Sequence, residues 1–275
     1  MSMKITKDSH TVFSNLKQFP LTPRMPILFI GHGSPMNAIE NNSFTAQWQK
    51  IGKNISKPHA IIVMSAHWVT LRHNYISAIE NPPMIYDMFG FPDELYAVKY
   101  SAPGKPELAT TINSAIPKIQ LDNEWGLDHG AWSILMHLYP NADIPILQLS
   151  INFSLSPIQE FELLQQLQEL RNHGILFIGS GNIVHNLRAI NWDNKTYDWA
   201  LEFDQISSSL IEKRDTKSLT NYQNLGSSAQ LSIPTDEHYR PMLATLAMSH
   251  KEDSLKFFNE EIIMGSVGMR SFILE

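Results

Sequence analysis

Three histidines in this chain stand where apolar runs end in small residues. Ile27-Leu28-Phe29-Ile30 leads into Gly31-His32-Gly33-Ser34-Pro35. Ala60-Ile61-Ile62-Val63-Met64-Ser65-Ala66 leads into His67. Ile175-Leu176-Phe177-Ile178 leads into Gly179-Ser180-Gly181-Asn182, with His185 three residues on. Short apolar runs of this kind are strands buried on both faces of a helix-covered sheet. Open sheets of that class place ligands at the carboxyl ends of their strands. Glycine there lets the backbone turn sharply and approach a ligand closely. Three strands aiming imidazoles at one rim suggest a metal site. Cysteine is absent, so disulfides, thiolate ligands and cysteine nucleophiles are excluded. Any metal takes nitrogen and oxygen ligands, which points to Fe, Zn, Mn or Ni.

Two further histidines have polar company. His238 reads as first-turn residue of a helix, beside Asp236 and Glu237, and His129 sits between Asp128 and Gly130. An adjacent aspartate could orient the His129 ring or bind its proton. None of the five has the short spacing of a zinc finger or of H-E-x-x-H, so a site would be assembled from distant segments. His10, His73, His173 and His250 read as solvated surface residues; His59 and His137 lack flanking glycines or a polar constellation. No G-x-G-x-x-G, P-loop or G-x-S-x-G elbow occurs. Ser34 is followed by proline, with no helix N-terminus ready to supply an oxyanion hole, which argues against a serine hydrolase.

The elements that must position these residues follow from periodicity. Helices are expected over 41–53, where Phe44, Trp48 and Ile51 share a face, and over 106–115. Gly126 to Gly130 reads as a turn before a helix over 131–138. A strand over 144–149, a helix from Ser156-Pro157 to 172 or 173 closed by Gly174, and the strand to Gly179 form a βαβ unit. A strand is expected over 75–79, a helix over 197–213, a polar loop over 218–232 and a helix capped by Thr235 that carries His238. Residues 262–274 should close the sheet. Residues 81–104 hold four prolines and five aromatics; a loop of that length is either a binding wall or a core plug.

Length and composition bound the rest. The 275 residues suffice for an unstapled core, and no internal repeat or clear linker appears. The expectation is a leader over 1–24, on the surface or partly disordered, and one α/β domain over 25–275. Net charge is -6, with no basic patch or tail, which argues against a nucleic-acid partner. No apolar run reaches the roughly 20 residues of a membrane helix, and no signal-peptide core is present. A cytoplasmic protein is expected.

Five motifs in order then carry a resemblance: Gly-His-Gly-Ser-Pro-Met-Asn (31–37), Ser-Ala-His-Trp (65–68), Trp-Gly-Leu-Asp-His-Gly-Ala-Trp (125–132), Gly-Ser-Gly-Asn-Ile-Val-His-Asn-Leu (179–187) and Thr-Asp-Glu-His-Tyr-Arg-Pro (235–241). Together they resemble the LigB-type, class III extradiol ring-cleaving dioxygenases, and within them the bacterial branch that cleaves DOPA. The resemblance implies a three-layer α/β/α fold with a mostly parallel, mixed sheet and a mononuclear non-haem metal. It implies His32, His67 and His238 as ligands, with His238 standing where many extradiol enzymes have a glutamate. His185 either completes a four-histidine site or serves only as acid/base. His129 holds a substrate hydroxyl, and Asp128 fixes its tautomer. Trp68, Trp132 and the aromatics of 81–104 are placed around the ring site from position alone.

The implied metal is Fe²⁺ in the active form and Zn²⁺ as isolated; the implied partners are a catechol such as L-DOPA and O₂. A homo-oligomer stays open. Two alternatives also stay open: a zinc-dependent hydrolase, and a non-catalytic, metal-stabilised binding protein of the same fold.

Overall fold

The structure is a computed structural model that describes Leu16, residues 19–193 and residues 195–275. Its elements in chain order are β1 (Ile27–Gly31), α1 (Ser43–Asn54), β2 (Ala60–Thr70), β3 (Asn74–Ser77), α2 (Asp93–Tyr96), α3 (Pro106–Ala115), β4 (Ile119–Asp122), α4 (His129–Leu138), β5 (Ile146–Asn152), α5 (Pro157–Leu164), β6 (Ile175–Gly181), α6 (Asp198–Glu212), α7 (Thr216–Thr220), α8 (Ser227–Ser232), α9 (Arg240–Ala247), β7 (Leu255–Phe258), β8 (Ile262–Ile263), β9 (Val267–Gly268) and β10 (Ser271–Leu274).

Eight strands form one mixed sheet in the order β4-β3-β5-β2-β6-β1-β10-β7. The central four, β5, β2, β6 and β1, are mutually parallel. Antiparallel pairs add β10 and β7 on one side, and β3 on the other. Alternate residues supply two cores. Ile27, Phe29 and Ile62 pack with Phe161, Phe203 and Leu246 on one face. Leu28, Ile30, Ile61 and Val63 pack with Trp48 and Leu135 on the other. Burial on both faces explains why these strands read as continuous apolar runs. The order β2-β6-β1 brings together His67 and the carboxyl ends of β6 and β1, which lead into His185 and His32; β2 does not end at His67 but runs on to Thr70 past a register shift between Met64 and Val69.

The helix expected over 41–53 begins at Ser43. Asn42 caps it in a reciprocal box with Thr45, whose side chain bonds back to the cap. The helix expected to run unbroken from Ser156 changes after Leu164 into a 3-10 helix, Gln165–His173, ending at Gly174 with φ +76°. Leu164, Leu167 and Leu170, all buried, are three residues apart, which is the period of a 3-10 turn.

Thr235 does not cap a helix that includes His238. Helix α9 starts at Arg240 with Pro241 in its first turn. A proline further inside would lose a hydrogen bond and clash with the preceding turn. His238 is therefore a turn residue. The polar stretch 218–232 is not a loop throughout: it carries the end of α7 and all of α8. Leu219, Tyr222 and Ala229 are buried there, and that packing overrides weak local propensity. Within 262–274 only β10 joins the main sheet; β8 and β9 form a separate hairpin. The short outer strands β4 and β7 were not expected. Leu16 and Phe19, inside the presumed surface leader, are buried in the core; the rest of 1–18, with His10, lies outside the described residues. His173 is not a free surface group either, since its Nδ1 pairs with the Phe19 carbonyl at 2.7 Å.

Candidate metal centre

His32 leaves β1 at the rim. Gly33, with φ +63°, makes the turn that a side chain would strain. The His32 backbone N–H donates to the Gly181 carbonyl at 3.1 Å, and its carbonyl accepts from Asn37 Nδ2 at 2.9 Å. His32 Nδ1 lies 3.0 Å from Ser180 Oγ. That hydroxyl donates its own proton to the Gly130 carbonyl at 2.5 Å, so His32 Nδ1 is the donor toward it and Nε2 carries the free lone pair.

A carboxylate stands behind each of two more rings. His67 Nδ1 is 3.2 Å from Asp87 Oδ2, and His238 Nδ1 is 3.3 Å from Glu237 Oε1. Carboxylates only accept, so His238 holds its proton on Nδ1 and leaves Nε2 free; Asp87 faces His67 Nδ1 by charge, while its Oδ2 takes a hydrogen bond from His129. Outer hydrogen bonds of this kind orient metal-binding histidines and raise their basicity. One ring nitrogen each from His32, His67 and His238 lies within 4.8 Å of the others. Their ring centroids are 5.2–5.4 Å apart, with planes tilted by 48°, 50° and 89°. The Nε2 atoms of His32 and His67 are 3.3 Å apart. Two imidazole nitrogens bound at ~2.1 Å to one ion, at angles between octahedral and tetrahedral, are separated by ~3.0–3.4 Å. The donor set thus fits one divalent metal.

Burial lowers the pKa of all these rings. His32 and His238 lie well below the ordinary histidine range, through burial first and neighbouring imidazoles second. Burial and His129 push His67 down to about 3, with Asp87 opposing. Burial pushes His185 down to about 4. Neutral imidazole is the metal-binding form. Asp87 stays ionised: burial alone would raise its pKa, but the His129 hydrogen bond and adjacent rings carry it below the usual value.

His129 and His185 stand beside the three. His129 is the first residue of α4, whose cap Asp128 accepts from the Ala131 N–H. It is Asp87, not Asp128, that bonds the His129 ring, Nδ1 to Oδ2 at 2.9 Å. Asp128 faces elsewhere and accepts from Ser65 Oγ at 2.6 Å, Gln148 Nε2 at 2.7 Å and Trp125 Nε1 at 3.4 Å. Burial raises its pKa. His185 stacks on His238 with centroids 3.4 Å apart and planes 10° from parallel. His185, Glu237 and His238 also bring one potential ligand atom each within 4.8 Å of one another. Neither His185 ring nitrogen has a hydrogen-bond partner among the described residues.

A cavity of about 520 Å³ is lined by the five rings and by Met88, Phe89, Phe91, Leu187, Ile190 and Trp192 among others. Residues 81–104 thus supply a wall. Trp68 and Trp132 do not line the cavity. Trp68 is buried and stacked on Trp125 at 5.4 Å, and Trp132 is buried with Nε1 donating to the Ile85 carbonyl at 3.0 Å. Sequence reasoning missed Asp87. An acid flanked by Tyr86 and Met88 in an apolar stretch was the one available signal. Every metal-type grouping among the described residues falls at this rim, and no helix among the described residues is long and apolar enough to cross a membrane.

A protein of Escherichia coli (strain K12) named 4,5-DOPA dioxygenase extradiol is 43% identical over 256 residues, covering 90% of this chain and 94% of its own. A Beta vulgaris protein of the same name is 37% identical, over 78% of this chain and 83% of its own. The crystal structure of an uncharacterized Escherichia coli K12 protein superposes with a TM-score of 0.79 at 39% identity, covering 92% of this chain and 100% of that one. Residues 21–267 match the family described as the catalytic LigB subunit of aromatic ring-opening dioxygenase. The chain belongs to the LigB family.

Proposed function

We propose that this protein is an extradiol dioxygenase that opens catechols, L-DOPA among them, with O₂ at one non-haem metal held by His32, His67 and His238. The observation that carries the reading is the convergence of the three imidazoles of His32, His67 and His238 beneath a largely apolar cavity, with two more histidines in its lining. Three neutral nitrogens also suit Zn²⁺, whereas oxygenases of this type commonly use a carboxylate ligand on Fe²⁺. Here the carboxylates of Asp87 and Glu237 stand behind His67 and His238 and place their negative charge one residue further out. Our reading is Fe²⁺ in the active protein, with Zn²⁺ able to fill the same ligands.

When bound, the iron brings the diol and O₂ together and passes electrons between them. The protein's own groups do the rest. His129, held by Asp87 with its proton on Nδ1, offers Nε2 to a catechol hydroxyl. His185, neutral and unpartnered, accepts the phenolic proton and returns it as the ring opens. The stacking with His238 favours this acid/base role over a fourth ligand position. The apolar walls exclude water.

Anaerobic loading with Fe²⁺, followed by L-DOPA and ¹⁸O₂, tests the reading. The expected product is yellow, ring-opened beside the diol, and carries both labelled atoms. No O₂ uptake with any catechol would overturn it. The sequence also admitted a zinc hydrolase and a metal-stabilised binding protein, but nothing in the site favours either.

A further inference from the structure

We infer that the site is built for a catechol whose side arm is uncharged and apolar, and that L-DOPA is a weaker ligand than such a compound. The inference rests on the ring-cleavage reading and specifies its substrate class. Beyond the five rings the cavity lining is largely hydrocarbon, with Met88, Phe89 and Phe91 from one segment of the chain and Leu187, Ile190 and Trp192 from another. Phe89 is 91% exposed and Trp192 81% exposed, so two large aromatic side chains at one mouth have almost no cover from the chain itself. An apolar arm leaving the metal-bound diol would cover them and remove that surface from water.

The charges point the same way. Among the described residues the lining holds no lysine or arginine, and its one acid, Asp87, faces His129 and His67. Arg188, next to Leu187, is exposed and outside the lining. An amino-acid arm brings an ammonium and a carboxylate. Neither finds a charged partner among the lining side chains, and any water either loses against these apolar walls costs free energy. The cavity also exceeds what a bare catechol ring fills, so an arm is accommodated rather than excluded.

The test compares catechol, propylcatechol and L-DOPA on the same protein. Calorimetry on the Zn²⁺-loaded form reads binding without turnover, and oxygen uptake on the Fe²⁺-loaded form reads KM. Propylcatechol is expected to bind about tenfold or more tighter than L-DOPA, with the difference in KM rather than kcat. Phe89→Ala and Trp192→Ala should each shrink that ratio several-fold, and Trp192→Arg should move it toward L-DOPA. L-DOPA binding as tightly as propylcatechol, with O₂ still consumed, overturns the inference alone. No O₂ uptake with any of the three overturns the ring-cleavage reading and the inference with it.

Discussion

Asp87 binds His129 twice, accepting from its ring Nδ1 and from its backbone N–H, each at 2.9 Å. One carboxylate from the irregular 81–104 loop thus fixes both the position and the tautomer of a residue at the start of α4. The same Oδ2 faces His67 Nδ1. Asp87→Asn presents at most one acceptor oxygen and lets the rings choose other tautomers. Losing an outer partner of this kind costs about 10–100-fold in activity or metal affinity. We expect kcat to fall within that range while the variant keeps its fold by circular dichroism. An unchanged kcat would show that the pairing is incidental.

The five site histidines divide by what their loss does. His32→Ala, His67→Ala and His238→Ala should each lower bound metal well below one per chain, because each removes an Nε2 donor. His129→Ala and His185→Ala should retain metal and lose turnover. Metal analysis on dialysed protein, paired with an oxygen electrode, separates the two groups. Stoichiometric metal in all of the first three would refute the ligand assignment, and normal turnover in His129→Ala would refute its substrate role.

Gly130 is fixed by close approach. A Cβ there would lie 2.4 Å from Ser65 Oγ and 2.9 Å from His67 Cδ2, too near for either neighbour to stay in place. Overpacking of this sort costs about 1–3 kcal/mol. Gly130→Ala should lower the Tm and weaken metal binding together, since the displaced ring is His67. A variant with wild-type Tm and wild-type metal affinity would mean the helix start shifts freely.

Acid should destabilise the metal-free protein. An unfolded histidine protonates near its ordinary value of 6.5, whereas folded His67 resists to about 3 and folded His185 to about 4. Between those values the unfolded chain binds more protons, so stability falls as pH falls. The Tm of the apo-protein should drop from about pH 7 to about pH 5, and less steeply in a His67→Gln/His185→Gln variant. Equal slopes in both would rule out these rings as the cause.

What the sequence disclosed was what local pattern encodes. The buried strands announced themselves as apolar runs, and Pro106 and Ala115 bound a helix at the expected residues. His32 and His67 stood out because each ends such a run. What stayed hidden depends on packing between distant segments. Asp87 reaches His129 across 42 positions, and nothing periodic links them; Asp128, adjacent in sequence, drew the assignment instead. Trp68 and Trp132 lie near the site in the chain yet point into the core. Trp192, which does reach the mouth, sits in a stretch with no regular pattern at all.

The most direct test is a crystal structure of the Fe²⁺-loaded protein with anomalous data at the iron edge. The account predicts a single peak about 2.0–2.3 Å from Nε2 of His32, His67 and His238, with His185 stacked alongside and not coordinating. A peak at another place, or one bound through Nδ1 atoms or the Asp87 carboxylate, would contradict it.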